Sequence, residues 1–168
     1  MSTLFVNKLK AAVGSVIDVQ SGHELHAKGH VIQFQRTEYD PNVDSYTAVA
    51  ASTLASPPYT LSFTPKFATS KLFIQTEMHT RMANATGCTF GIYRDNVKIP
   101  GMVTRDGMDF FYKGEALNHH YTGRCECIID ANSTSATVFK TWGQGWDGSW
   151  EISYGHGRHS ITVMEIAQ

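Results

Sequence analysis

Three tryptophans lie within a glycine-rich stretch near the end of the chain, and their spacing could serve ligand binding. Trp142, Trp146 and Trp150 are interspersed with glycine, glutamine, aspartate and serine. Aromatic rings beside such polar groups can stack on sugars, whereas rings of this size also fill cores and subunit interfaces. The alternation through Trp150, Ile152 and Tyr154 favours the core for Trp150. Trp142 and Trp146 are therefore the candidate glycan contacts.

The other reactive side chains show no arrangement typical of catalysis. There is neither a G-x-S-x-G nucleophile motif nor a G-x-x-x-x-G-K phosphate loop. The acidic residues form no recognisable arrangement and are scattered along the chain, for example Asp106, Asp109, Glu115, Glu126 and Glu165. We predict that the chain is not an enzyme.

The three cysteines are expected to be buried thiols rather than metal ligands. Cys88, Cys125 and Cys127 form no C-x-x-C pair and have no further ligands at a recognised spacing. Buried thiols behave as small hydrophobic groups.

The composition of the chain indicates which partners and which location to expect. Lys and Arg number 14 against 15 Asp and Glu, without a basic cluster, so we expect no nucleic-acid binding. No run approaches the roughly 20 apolar residues of a membrane span, so we expect no membrane insertion. Charged residues make up only 17% and hydrophobic residues 42%, which indicates that surface is hidden in an oligomer. Lys8 and Lys10 follow the first apolar residues, the reverse of a secretory signal, so synthesis in a cytoplasm is expected.

From Val31 onward the alternation of apolar and polar residues predicts β-strands. In residues 71–82 one face is apolar and the other polar, with Phe73 as the exception, and residues 119–130 alternate in the same way. Turn residues separate the strands at intervals of about 8–15 residues. We predict an all-β fold, an antiparallel jelly-roll β-sandwich of about eight strands.

The last predicted strand, residues 160–167, is apolar on both faces. It lies either in the centre of a sheet or against a neighbouring subunit. Glu165 falls inside this run, and a buried carboxylate needs a polar seam or an Arg or His partner.

The N-terminal residues 1–29 are expected to form an extended arm, and residues 30–168 a head domain. Burying the arm's roughly nine apolar side chains at ~1.5–3 kcal/mol each would contribute ~13–27 kcal/mol in all. Fixing the backbone of roughly 28 residues at ~1–2 kcal/mol each costs ~28–56 kcal/mol, which is more. The arm should therefore become ordered only on a partner. Its docking residues are Leu4, Phe5, Val6, Leu9, Val16, Ile17, Val19 and Leu25.

Four sequence elements carry a resemblance to a known family. They are the opening MSTLFV-K-L with the segment that leads to a V-I-Q strand (residues 31–33), an F-T-P strand end followed by T-S-K-L-F-I (residues 63–74), G-x-Y-R-D (residues 91–95) and the terminal S-I-T-V-M-E-I (residues 160–166). Together they resemble small virion proteins of tailed bacteriophages, especially marine and cyanobacterial ones. The resemblance covers nearly the whole chain.

The resemblance implies a jelly-roll domain like that of complement and tumour-necrosis-factor trimers. It implies a homotrimer, located in the virion, whose arm attaches to capsid, collar or tail proteins. The trimer contact would be made by Ile161, Val163, Met164, Glu165 and Ile166. The expected role is a short fibre or appendage, with a capsid decoration protein as the alternative. A glycan-binding module that recognises the host surface through Trp142 and Trp146 is a second alternative.

Histidines near the axis of such a trimer are the candidates for a metal site. One histidine from each subunit would supply three imidazoles, and His156 and His159 are the candidates. Their HxxH spacing lacks the glutamate and the helix of a zinc hydrolase. We expect no metal and no other cofactor.

Overall fold

The computed structural model describes residues 28–39, 47–49, 54–56, 59–82, 87–100, 109–112, 119–152 and 159–168. Within these ranges the chain forms strands and no helix, so no helix in them is long and apolar enough to cross a membrane. The strands are β1 (Val31–Tyr39), β2 (Thr47–Val49), β3 (Leu54–Ala55), β4 (Leu61–Phe63), β5 (Lys71–Met82), β6 (Gly87–Arg94), β7 (Val97–Lys98), β8 (Asp109–Tyr112), β9 (His119–Asp130), β10 (Thr137–Gly145), β11 (Trp150–Ile152) and β12 (His159–Ile166).

The first sheet is built on β5. Strand β9 pairs with the whole length of one edge of β5. The other edge of β5 is divided between β12, which pairs with residues 71–77, and β11, which pairs with residues 80–82. Strand β1 pairs with β12, and β2 pairs with β11. All these pairs are antiparallel. The sheet is four strands wide both where β12 pairs with β5 and where β11 pairs with β5.

The second sheet is built on β10. Strand β6 pairs with one edge of β10, whereas β4 and β3 share the other edge. The far edge of β6 pairs with β7 and β8. These pairs are also antiparallel, so the predicted all-β, antiparallel architecture is confirmed, and it is compatible with a β-sandwich.

The core lies between the inner faces of the two sheets. In β5, Leu72, Ile74, Met78 and Met82 are completely buried on the inner face, and the odd-numbered residues of the strand point to the outer face. Strand β9 alternates in the same way, with Cys125 buried and its even-numbered neighbours exposed. The faces predicted from the alternation of residues 71–82 and 119–130 are therefore confirmed.

The cysteines lie in or against the core, as predicted for buried thiols. None of the three forms a disulfide; Cys88 and Cys125 are buried in the core, and Cys127 is partly buried against it. Burial raises the pKa of the Cys127 thiol to about 11, so this thiol stays protonated and unreactive at neutral pH.

Strand β12 lies in the interior of its sheet, between β1 and β5. Ile161, Val163 and Glu165 point inward and have no exposed surface, because the chain's own core covers them. The prediction that these three residues contact other subunits of a trimer is therefore wrong. Met164 and Ile166 lie on the outer face and are partly exposed, so they remain available for such a contact.

Strand β1 begins beside the end of β12. The amide of Gly29 donates to the carbonyl of Ala167 at 2.8 Å, and the amide of Ala167 donates to the carbonyl of His30 at 2.9 Å. The predicted arm lies outside the described residues except for its last two positions, so its docking residues Leu4, Phe5, Val6, Leu9, Val16, Ile17, Val19 and Leu25 stay a prediction.

Candidate functional site

A row of apolar side chains crosses the outer face of the first sheet. The strand register aligns Phe34 of β1 with Met164 of β12, Met164 with Phe73 of β5, and Phe73 with Ile128 of β9. Phe34 is 54% exposed and Ile128 60% exposed, while the two central side chains are partly exposed. We call these four residues the apolar row. A contiguous exposed apolar patch of this kind is typical of a protein interaction site.

The row next to the apolar row, toward the start of β5, is apolar on the β1 side of the sheet and charged on the β9 side. Val31, which is 45% exposed, pairs with Ile166, and Ile166 pairs with Lys71. The ammonium group of Lys71 lies 2.5 Å from a carboxylate oxygen of Asp130. The apolar patch therefore spans two rows on the β1 side and ends at an ion pair on the β9 side.

The two rows on the opposite side of the apolar row carry charges at both sheet edges. One row has Arg36 at the β1 edge and Glu126 at the β9 edge; the next has Glu38 and Arg124 in the corresponding places. Within β1, Arg36 Nε lies 2.8 Å from Glu38 Oε1, and within β9 Arg124 lies 4.0 Å from Glu126. The smaller side chains of Ser160 and Thr162 lie between these edges and are only 3% exposed.

Sequence reasoning did not find this face as a site, although one sign of it was present. Phe73 is the exception to the alternation of residues 71–82, because it occupies a position that the pattern assigns to polar residues. Phe34 and Ile128 occupy equivalent positions on their strands. The strands that carry these three residues are distant in sequence. Only the strand register shows that the residues form one patch.

Glu165 is fully buried and is surrounded by hydrogen-bond donors. Its carboxylate accepts the backbone N–H groups of Lys66 and Phe67, both at 2.9 Å, and the side-chain amide of Gln33 at 2.7 Å. Burial alone would raise the pKa of Glu165, but these hydrogen bonds outweigh it and hold the pKa below its usual value. Of the partners expected from sequence, the polar seam is the one observed.

Trp142 is not available for stacking on a sugar, contrary to the prediction. It lies on the outer side of β10 but has no exposed surface. Its ring rests on Gly91, where a Cβ would come within 2.5 Å of the indole, and Lys98 Nζ covers the ring at 4.2 Å from the centroid. The ammonium group is held there by a cation–π interaction, so the ring face that a glycan would need is already occupied.

The other two tryptophans differ in exposure. Trp150 is completely buried against Gly143 and Met78, which confirms its predicted place in the core. Trp146 is partly exposed, and its backbone N–H donates to the carbonyl of Gly87 at 2.9 Å. Of the predicted glycan contacts, only Trp146 has surface that a ligand could reach.

His159 is enclosed by aromatic rings. It has no exposed surface and lies 5.8 Å from the ring of Tyr39 and 5.7 Å from that of Tyr59, measured between centroids. Its Nδ1 accepts the backbone N–H of His79 at 3.1 Å. Burial, and secondarily the nearby His79, lower the pKa of His159 to about 4. His159 is therefore a neutral, buried side chain, and its candidacy as a metal ligand at a trimer axis is wrong.

The metal candidate His156 lies outside the described residues. Within the described ranges, no group of three His, Cys, Asp or Glu side chains could hold a metal ion.

A cavity of about 410 Å³ opens beside the turn between β6 and β7, in which Asp95 and Asn96 have positive φ angles. Of its two cationic residues, Arg94 donates to the carbonyls of Asp130 and Ala131 at 2.9 and 2.6 Å, and Lys98 covers the ring of Trp142. The Asp95 carboxylate accepts the backbone N–H of Val138 at 2.8 Å. The fourth charged residue, Asp130, is paired with Lys71. Since these charged groups bind the chain itself, they stabilise this end of the fold, and the outer face is the better candidate site.

No known family model matches the chain, and no curated protein is recognisably similar to it in sequence.

Proposed function

We propose that this chain is a structural protein of a bacteriophage virion, a short homotrimeric fibre or appendage. The outer face of the first sheet forms the contact between subunits, and the N-terminal arm, residues 1–29, docks the trimer to other virion proteins. The role is mechanical and includes no catalytic step. The observation that carries the assembly is the apolar row, which crosses all four strands and leaves Phe34 and Ile128 more than half exposed in a single chain.

The order of the strands supports a jelly roll. Eight strands, taken in chain order, are β1, β4, β5, β6, β8, β9, β10 and β12. The first pairs with the eighth, the second with the seventh, the third with the sixth and the fourth with the fifth. This nested pairing is what a long hairpin produces when it is wrapped into two sheets, as in a jelly roll.

The width of the outer face supports three copies. Four strands make a face ~19 Å wide, since neighbouring strands are ~4.8 Å apart. Three such faces around a common axis lie ~5.5 Å from it, about half of the ~10 Å at which sheets pack. Four faces would lie ~9.5 Å from the axis and leave a channel that side chains could not fill. Side chains can therefore fill the space around the axis in a trimer but not in a tetramer.

The assembly is tested by measuring the mass of the purified protein in solution with light scattering and native mass spectrometry. The wild-type protein should have a mass in solution three times that of one 18.6 kDa chain. Ile128→Glu places a charge in the apolar row and should give monomers, because burying an unpaired carboxylate is unfavourable. Val97→Glu is the matched control, since Val97 is 70% exposed on the second sheet and should tolerate the charge.

A monomeric wild-type protein, or an Ile128→Glu variant that stays trimeric, would contradict the proposed assembly. The attachment role is tested separately by deleting residues 2–28. The truncated protein should still form trimers but should no longer be incorporated into particles, and normal incorporation would contradict the role of the arm. A cryo-EM map of particles carrying the full chain would distinguish a tail appendage from a decoration protein on the capsid.

A further inference from the structure

We propose that neighbouring copies join head to tail, with the β1 edge of one copy against the β9 edge of the next. In this contact Arg36 faces the neighbouring copy's Glu126, and Glu38 faces the neighbouring copy's Arg124. The inference rests on the proposed trimer and adds to it the partner edge, the register and the residues that select them.

The strand register places these charges at matching heights. Arg36 and Glu126 belong to one row across the outer face, through Thr162 and Gln75. Glu38 and Arg124 belong to the next row, through Ser160 and Glu77. Each row therefore has a positive group at one edge of the sheet and a negative group at the other, and the order of signs is reversed between the two rows.

Rotation about an axis parallel to the strands moves a residue to the neighbouring copy without changing its height. The β1 edge of one copy then meets the β9 edge of the next row by row. Opposite charges meet at both heights, and within each strand the neighbouring charges are already opposite. The four groups thus form a block of alternating sign in which every charge has two oppositely charged neighbours.

The same symmetry brings the ends of the apolar row together. Phe34 at the β1 edge lies at the same height as Ile128 at the β9 edge, because both align with Phe73. Each contact between copies therefore has an apolar part at one level and a charged part at the two levels next to it. The apolar part supplies most of the free energy of association, since exposed ion pairs contribute little.

The charged part selects the register. If one edge slides by two residues, Arg36 comes opposite Arg124 and Phe34 comes opposite Glu126. If it slides the other way, Glu38 comes opposite Glu126 and Arg36 comes opposite Ile128. Each slip therefore sets two like charges against each other and a charge against an apolar side chain, which is the usual way in which charged groups confer specificity.

One competing arrangement makes equally good charge pairs. Two β1 edges that meet antiparallel around Thr37 would bring Arg36 of each copy to Glu38 of the other. This arrangement has twofold symmetry and gives a dimer that does not use the β9 edge. Exchanging the charges on β1 distinguishes the two arrangements. It preserves the ion pairs of the twofold dimer, but it places like charges together in the head-to-tail contact.

The experiment uses three variants of the full chain with unchanged net charge. The first exchanges the charges of β1, Arg36→Glu with Glu38→Arg; the second exchanges those of β9, Arg124→Glu with Glu126→Arg; the third combines all four substitutions. Each variant keeps the pairs of opposite charge within its strands. Light scattering over a dilution series gives the protein concentration at which half of the trimer dissociates.

We expect the first and second variants to dissociate at concentrations at least tenfold higher than the wild type. The third should return to within threefold of it, which also shows that the substitutions leave the fold intact. Raising the salt concentration should narrow these differences, since the interactions are screened. A first variant that associates like the wild type, or a third variant that does not recover, would overturn the head-to-tail contact while leaving the trimer in place. A wild-type chain that is dimeric or monomeric would overturn both proposals.

Discussion

The side-chain amide of Gln33 donates to the Glu165 carboxylate at 2.7 Å, and the two residues are 132 positions apart in the chain. The same amide also donates to the carbonyl of Thr64 at 2.7 Å. One side chain of β1 is thus tied to β12 and to the connection between β4 and β5. Since β1 follows the proposed arm directly, this bond anchors the start of the head domain, next to the docking segment, to β12.

Replacing Glu165 should therefore lower stability. In Glu165→Gln the new NH₂ group faces backbone N–H donors, and hydrogen bonds to a charged acceptor are lost. A loss of about 1.5–3 kcal/mol in the free energy of unfolding is expected, because each such bond contributes that much. Denaturant unfolding at pH 7 measures this loss. Gln35→Ala, at an exposed position of the neighbouring strand β1, is the control and should change stability by less than about 0.5 kcal/mol. Equal effects of the two substitutions would contradict the role of the carboxylate.

Glu165 also predicts how the protein responds to acid. Its pKa is lower in the folded state than its usual value of 4.5, so its contribution to stability is complete above pH 4.5. The contribution is lost as the pH falls through the lower, folded-state pKa, because the unfolded chain then takes up a proton first. Unfolding curves at pH 5 and pH 3 should show a smaller decrease in stability for Glu165→Gln than for the wild type. A parallel decrease in both proteins would show that other groups cause it.

His159 should affect the free energy of unfolding at higher pH than Glu165 does. Its pKa is about 4 in the folded protein against 6.5 for an ordinary histidine, so the unfolded state binds more protons between these values. Stability should therefore fall by up to ~3 kcal/mol as the pH drops from 6.5 to 4 and be unaffected by this group below pH 4. His159→Asn keeps an acceptor near the position of Nδ1 and removes the titration, so it should flatten this part of the profile. A profile of His159→Asn that falls between pH 6.5 and 4 as steeply as that of the wild type would contradict this role of His159.

The contact between Gly91 and Trp142 can be tested with a double-mutant cycle. Gly91→Ala would place a Cβ within 2.6 Å of three atoms of the indole, and the crowding should cost about 1–3 kcal/mol. In a Trp142→Leu background the smaller side chain leaves room, so the additional loss caused by Gly91→Ala should be clearly smaller. Losses that simply add would show that the two residues do not interact in this way.

Tryptophan fluorescence can distinguish the three indoles. Because Trp142 and Trp150 have no exposed surface and Trp146 is partly exposed, acrylamide should quench mainly Trp146. Trp146→Phe should remove most of the quenchable emission, whereas Trp142→Phe should leave it largely in place. Strong quenching that is lost only in Trp142→Phe would mean that this ring is accessible, and would restore it as a candidate glycan contact.

The predictions that succeeded rest on local periodicity. The inward and outward faces of β5 and β9 follow from alternation alone, because side chains of a strand point to opposite sides in turn. The predictions that failed depend on distant parts of the chain. Trp142 is covered by Lys98, which comes from another strand, and β12 is interior because β1 pairs with its second edge. A single strand carries no information about either neighbour.

Gly29 and Ala167 are hydrogen-bonded to each other, so the chain begins and ends its path through the two sheets at one end of the molecule. The turn at residues 146–149 adjoins Trp150, which pairs with Met82 at the far end of β5. A 12-residue strand is ~40 Å long, so a foreign peptide inserted between Asp147 and Gly148 would be carried that distance from either end of the described chain. The molecule thus offers a point for displaying an added epitope far from the end at which Gly29 and Ala167 meet.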